Sequence, residues 1–205
     1  NQYSEKTSDK RAGISGSLNY SGIKGLEIAA VAGVDYVLSE NLGITPPTAY
    51  SELTSGADER ERGILTKDKN TKMNLSSNVR VTYNKMFGKH DLTLGANFDY
   101  YSDHVDNLGI TGYGLSKKMQ SPSGVNQSIE GNRKPSFTSR NEKTAQLGIG
   151  VLAGYSWNGI YDLFGTYKSD ASSVLPSDKR WNSAWAVGGG WTLSNYSFLR
   201  NNGTL

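Results

Sequence analysis

From Leu26 to Leu38 apolar side chains fall on every second position: Leu26, Ile28, Ala30, Ala32, Val34, Tyr36 and Leu38 share one parity, and Glu27 and Asp35 take the other. A β-strand sends successive side chains to opposite faces, so this spacing predicts a ribbon with one oily and one wet face. The same period recurs over 12–20, 74–84, 90–102, 145–157, 161–168 and 181–193. Leu152 breaks it, and Ile160 and Phe164 blur it. No apolar face carries a charge. Seven long ribbons of this kind constrain the fold more narrowly than two would, because each needs something apolar to cover its oily side.

Hydrocarbon fits that requirement better than a protein core. Only 36% of the 205 residues are apolar, thin for a soluble sandwich with so many strands. The mean hydropathy of −0.54 and the absence of a long apolar run leave no place for a transmembrane helix, which needs about 20 apolar residues in succession. A transmembrane barrel strand needs only about 9–11 tilted residues, half of them facing lipid. The chain has no cysteine, which excludes a disulfide framework and a thiolate metal site. A net charge of +3 with scattered lysines and arginines gives nucleic-acid binding little support.

Connections alternate between short (21–25, 87–89, 158–159) and long (39–71, 104–141, 170–180), with 194–198 following the last strand; outer-membrane barrels show this asymmetry, tight on one side and long on the other. Pro46, Pro47, Pro122, Pro135 and Pro176 all fall in the long segments, as expected where each strand needs every backbone N–H. Gly88 and Asn158-Gly159 carry hairpin signals. Tyr20, Tyr36, Tyr83, Tyr100, Tyr101, Tyr155, Trp157, Tyr161, Tyr167, Trp181 and Trp191 cluster near strand ends, where amphipathic rings form girdles at the headgroup level; ordinary β-propensity is the competing reading.

Tyr167-Lys-Ser-Asp170-Ala-Ser172-Ser173, then Arg180-Trp181, then Gly190-Trp191 resembles a signature of the SusC/RagA-like TonB-dependent outer-membrane transporters. Gly22-Ile-Lys-Gly-Leu26 and Asn84-Lys-Met-Phe-Gly-Lys-His90-Asp-Leu92 resemble further pieces of that family in the same order. Lys168 stands where Arg is usual, Ala171 where Gly is usual, and Ala184-Trp185 where Phe-Pro is common. The resemblance implies a barrel of about 22 strands around a plug, a segment contacting TonB, and a SusD-like lipoprotein lid. None of the plug or TonB-contacting sequence is present, so residues 1–205 are expected to be an internal fragment of the barrel domain. Seven strands leave two open edges that cannot close in lipid.

The candidate chemistry is sparse. Asp99, Asp103, His104 and Asp106 could hold a divalent cation, yet their spacing matches no calcium loop and a solvated rim explains them as well. His90 could serve as a base in an outer-membrane hydrolase or sit simply in a turn; with two histidines and no Gly-x-Ser-x-Gly element an enzyme is disfavoured. No catalytic, metal or cofactor-binding residue is assigned. The wet parity, including Asn74, Asn78, Arg80, Asn97, Asp99 and Gln146, would line the lumen. Gly148, Gly150, Gly154, Gly188 and Gly190 share it, either to admit a close approach of plug or solute or to relieve crowding.

In the long loop Tyr113, Lys117, Lys118, Asn126 and Gln127 are suited to stacking on sugars or hydrogen-bonding peptides. The fold class expected is all-β: a transmembrane antiparallel barrel segment with long extracellular loops, in the outer membrane of a Gram-negative bacterium. The expected function is TonB-dependent import of an oligosaccharide or oligopeptide with a SusD-like lipoprotein, in contact with the bilayer and lipopolysaccharide and without cofactor or nucleic acid. A passive porin, an adhesive barrel, a hydrolase and a soluble sandwich are the alternatives.

Overall fold

The computed structural model describes residues 3–118, 121–126 and 133–196. Seven strands, β1 (Ser4–Ile23), β2 (Leu26–Thr45), β3 (Ile64–Phe87), β4 (His90–Tyr113), β5 (Ser136–Trp157), β6 (Tyr161–Ser172) and β7 (Trp181–Trp191), form a single sheet in sequence order. The registers of β5 with β6 and of β6 with β7 are antiparallel and unbroken from Trp157↔Tyr161 to Gln146↔Ser172 and from Tyr161↔Trp191 to Ala171↔Trp181. All five prolines stay outside the strands.

Six strands are longer than the apolar alternation suggested. β1 begins at Ser4 rather than Ala12, and the predicted loops 39–71 and 104–141 contract to 46–63 and 114–135. The first turn shortens to Lys24-Gly25, and Leu193 leaves β7 for a 3₁₀ turn, Leu193–Asn195. Strand formation demands backbone pairing, whereas an oily parity is needed only where a face meets an apolar medium, so the pattern stops before the strands do.

The chain divides into two compact units. The first comprises Asn1–Gly13, Asp35–Asn74 and Asp103–Lys143, the loop-side segments of β1–β5 with the two long loops. Its core is small: Ile44, Leu65 and Leu115 are buried, with Leu42 and Val125 packed on them. Gly114 N–H donates to the carbonyls of Glu61 at 3.3 Å and Gly63 at 3.0 Å, tying the loops together.

The second unit holds Ile14–Val34, Leu75–Ser102 and Thr144 onward, the turn-side strand segments with β6 and β7. Among the described residues neither sheet nor helix lies on its apolar parity: Ile14 is 77% exposed, Trp185 76% and Val187 67%. A soluble sandwich would have covered these side chains. At the turn end of this face Trp157, Tyr161 and Trp191 stack in a row at centroid spacings of 5.8 and 6.1 Å, and Tyr196 meets Trp191 edge-on. β7 has 11 residues, roughly 33 Å along the strand; at a tilt of about 40° they rise roughly 25 Å, the height of a lipid-facing band. Trp181 and Trp191 bracket that height. Three polar groups on this face satisfy one another: Tyr167 Oη donates to Ser183 Oγ at 3.0 Å and Ser183 bonds Ser169 at 2.8 Å, as a medium without water favours.

The three misfits have physical reasons. Leu152 lies on the polar face over Gly95, whose missing Cβ would sit 3.5 Å from the leucine Cβ. Phe164 covers Gly188, where a Cβ would overlap the ring. Ile160 belongs to the turn, where its N–H bonds Trp157 at 2.9 Å and its carbonyl accepts Thr192 N–H at 2.8 Å.

Candidate functional site

The polar parity of β3–β7 in the second unit forms a recess of about 720 Å³, to which Asn78, Asp99, Tyr101, Lys168, Asp170 and Arg180 contribute. A second recess of about 530 Å³ shares Asn78, Asp99 and Lys168 and continues to Arg80, Asn97 and Thr166. Alternation delivers the strand residues among them to one surface, each two positions from the next on its strand, while Arg180 reaches the recess from the loop before β7.

Asp99 is the centre of the hydrogen bonding. It accepts from the amides of Asn78 and of Asn97, the latter at 2.8 Å. The glycines of β5 make this possible: a Cβ at Gly150 would collide with the Asn97 amide, and one at Gly148 would stand 2.8 Å from Asp170 Oδ1. Gly154 likewise faces Thr93, and Gly190 faces Asp162. Their space is occupied by side chains of neighbouring strands, which is the crowding relief considered for them, with a polar network as its product. Lys168 Nζ lies 3.1 Å from Asp170 Oδ2, both half exposed, so the pair contributes little to stability and both charges stay available.

The residues considered for a metal do not converge. Asp99 and Asp103 share the polar parity of β4, while His104 and Asp106 share the opposite one, and His104 Nε2 meets Asn141 Nδ2 at 3.3 Å. Among the described residues no three His, Cys, Asp or Glu side chains are placed to hold a metal ion. His90 opens β4 on the apolar face, stacked on Phe87 at 5.1 Å with Nδ1 2.5 Å from Tyr155 Oη. It extends the row of aromatic rings at the turn end of the sheet.

The signature residues act in the loop between β6 and β7. Ser173 makes two bonds to Ala145, its Oγ accepting the N–H at 2.7 Å and its N–H donating to the carbonyl at 2.8 Å. Ser172 N–H reaches the Arg180 carbonyl at 3.1 Å. The motif thus locks a short loop to the start of the β5 membrane segment.

The loop candidates are dispersed. Tyr113 is the last residue of β4, not a loop residue, and its ring carries the Arg133 guanidinium 5.6 Å above it. Lys117 pairs with Glu59 at 3.5 Å in the open, Lys118 N–H bonds Ser116 Oγ at 3.3 Å, and Asn126 N–H bonds the Tyr113 carbonyl at 3.2 Å. Gln127 lies outside the described residues. The reading of the sequence missed Glu52 and Arg133, an ion pair at 2.6 Å between the two long loops in which the carboxylate is buried and the guanidinium partly exposed; two charged residues 81 positions apart give no local signal.

One two-faced antiparallel sheet, apolar and uncovered on one side and polar and recessed on the other, defines a segment of a transmembrane β-barrel wall. No protein-family model and no curated protein matches the chain. Among solved structures, the RagAB peptide transporter superposes on 97% of this chain with a TM-score of 0.77 at 22% identity. The RagAB peptide importer does so on 96% in its closed-closed state (TM-score 0.76, 22% identity) and on 97% in its open-open state (0.70, 22%). The chain spans 21% of the length of each. At that identity the likeness establishes the fold, which is the one the SusC/RagA-like resemblance implied.

Proposed function

We propose that this chain is part of the barrel domain of a TonB-dependent importer in the outer membrane of a Gram-negative bacterium, taking up an oligopeptide or oligosaccharide beneath a SusD-like lipoprotein. The observation that carries the reading is the contrast between the two faces: an uncovered apolar side bracketed by Trp181 and Trp191, and a recess offering Asp99, Asp170, Lys168 and Arg180. Charges of both signs beside neutral amides suit a solute with many hydrogen-bonding groups. The likeness to a peptide transporter over nearly the whole chain supports the same reading and favours a peptide. Energy would come from TonB through parts of the protein outside these residues; no residue here is assigned a catalytic step.

The test uses the full-length protein in its own cell. Uptake of a labelled oligopeptide or oligosaccharide is measured with TonB intact and deleted, and the protein is purified from outer membranes to identify what accompanies it. The expected result is uptake that ceases without TonB and a surface lipoprotein in the purified complex. Uptake that persists without TonB would identify a passive porin instead.

A further inference from the structure

We infer that Arg180 is the anchor for a carboxylate of the imported solute, an oligopeptide, in the recess on the polar side of β3–β7. This site presupposes the importer reading above and adds to it the group by which the solute is held.

Asp99, Lys168, Asp170 and Arg180 are the charged residues that contribute to the recess of about 720 Å³. Three of them have partners within the wall. Asp99 accepts from Asn78 on Oδ1 and from Asn97 on Oδ2, and Lys168 Nζ lies 3.1 Å from Asp170 Oδ2. Arg180 differs: among the described residues no carboxylate comes within 4.0 Å of its guanidinium. Beside it, Ser172 Oγ is buried and has no hydrogen-bond partner among the described residues. Asn182, two positions on from Arg180, adds an amide to the same recess. A guanidinium, a hydroxyl and an amide can all donate, and a planar carboxylate is the group that matches them. The fork of the guanidinium meets both carboxylate oxygens at once, and each oxygen keeps a lone pair for a further donor.

The loop between β6 and β7 fixes the point from which that guanidinium extends. Arg180 closes the 3₁₀ turn Ser177–Lys179 with φ −69° and ψ −31°, and its carbonyl accepts the Ser172 N–H at 3.1 Å. Leu175 N–H donates to the Ser172 carbonyl at 3.3 Å and Lys179 N–H to that of Pro176 at 3.0 Å, while Ser173 fastens the loop to Ala145. A backbone held in this way lowers the ordering cost of binding. All of these residues belong to the second unit. The choice of a peptide follows from the same inventory. A neutral oligosaccharide has no group to neutralise an unpaired guanidinium. An oligopeptide has at least its terminal carboxylate, and its amide N–H groups suit the carboxylates of Asp99 and Asp170.

The full-length protein is purified from outer membranes with whatever accompanies it and offered three probes: a tryptic digest of casein, the same digest with its carboxylates converted to methyl esters, and an oligogalacturonide. Retained molecules are quantified by mass spectrometry. The wild type is expected to favour the free-acid digest over the ester by roughly ten- to a hundredfold, from the contribution of hydrogen bonds to a charged group. Arg180→Gln is expected to lose that preference while holding the ester digest as the wild type does. Arg180→Lys, which keeps the charge without the fork, falls between the two. Lys179→Gln removes an equal charge from the same loop outside the recess and is expected to bind as the wild type does. Retained peptides are then resynthesised with an amidated C-terminus: lost binding assigns the anchor to the terminal carboxylate, kept binding to an Asp or Glu side chain, and either supports it. An equal hold on free acid and ester in the wild type, retention of neither digest, retention of the oligogalacturonide in place of peptides, no loss in Arg180→Gln, or an equal loss in Lys179→Gln would overturn the inference. Heat-dependent electrophoretic mobility reports assembly, and Arg180→Lys carries the comparison if Arg180→Gln does not assemble. TonB-dependent uptake that is indifferent to esterification sinks this site alone. A free-acid preference that depends on Arg180 while uptake persists without TonB keeps the site and sinks the importer reading.

Discussion

Arg133 places Nη1 2.6 Å from Glu52 Oε2, and that same oxygen accepts the backbone N–H of Gly63 at 2.9 Å. The Glu52 side chain is only 4% exposed, so one carboxylate joins the loop 46–63 to the loop 114–135 from inside. Removing Arg133 leaves that charge buried with a single neutral donor, at a cost of about 3 kcal/mol, the lower end for an uncompensated buried ion. Arg133→Ala is expected to lower amide protection across 50–63 in hydrogen exchange and to leave the turn-side strands unchanged. Equal protection in the variant would show that the loops are held by the Ile44–Leu65–Leu115 core alone.

Two turn glycines look alike in the sequence and differ in the fold. Gly25 and Gly88 both have positive φ, at 84° and 61°. A Cβ at Gly25 would overlap the carbonyl oxygen of Asn84, whose own N–H donates to the Gly25 carbonyl at 2.7 Å, while a Cβ at Gly88 meets nothing within 4 Å. Gly88→Ala therefore incurs only the left-handed strain, about 1 kcal/mol. Gly25→Ala adds a clash with backbone that cannot rotate away, and about 3 kcal/mol in total is expected. Urea unfolding in detergent or liposomes measures the difference; equal losses would show that the first turn shifts to accept the methyl.

What could be read from the chain, and what could not, follows from which medium each residue meets. Lipid imposes a strict rule on Leu92, Leu94, Ala96 and Phe98, so β4 was legible there. Beyond Ser102 the strand runs on through His104 and Asp106, where water accepts any side chain and the pattern vanishes; hence a loop was expected where Tyr113 still belongs to the strand. Leu152 and Phe164 looked like errors because their partners, Gly95 and Gly188, sit on other strands, and size complementarity across a sheet needs the register. The Glu52–Arg133 clasp and the bonds from Ser173 to Ala145 are long-range pairings of the same kind. The signature around Asp170–Trp181 was visible as a motif, but only the register shows that it fastens a loop.

His90 is expected to be replaceable. Its ring stacks on Phe87 with an interplanar angle of 15° and touches Tyr155, as a girdle residue does. His90→Phe keeps the stack and removes the bond to Tyr155 Oη; a loss under about 1.5 kcal/mol in stability is expected, in line with one hydrogen bond. Import, measured as above, stays at the wild-type rate. A hydrolytic activity present in the wild type and absent from His90→Phe would reverse that assignment.

The strongest check on the two faces uses adjacent residues. Val187 lies on the apolar side of β7, 67% exposed and opposite Gly165, while Ala186 lies on the polar side opposite Thr166. Near the middle of the hydrocarbon a basic side chain on the lipid face costs about 2–4 kcal/mol, and a lumen position carries no such penalty. Val187→Arg is therefore expected to cut the yield of assembled full-length protein in outer membranes, read by heat-dependent electrophoretic mobility, and Ala186→Arg to assemble close to normally. The native chain has no cysteine, so Val187→Cys and Ala186→Cys can be labelled without background: a water-soluble maleimide should reach position 186 and a membrane-partitioning one position 187. Reversed labelling would place the polar recess against lipid, which no arrangement of Asp99, Lys168 and Asp170 could survive, and the barrel-wall reading would go with it.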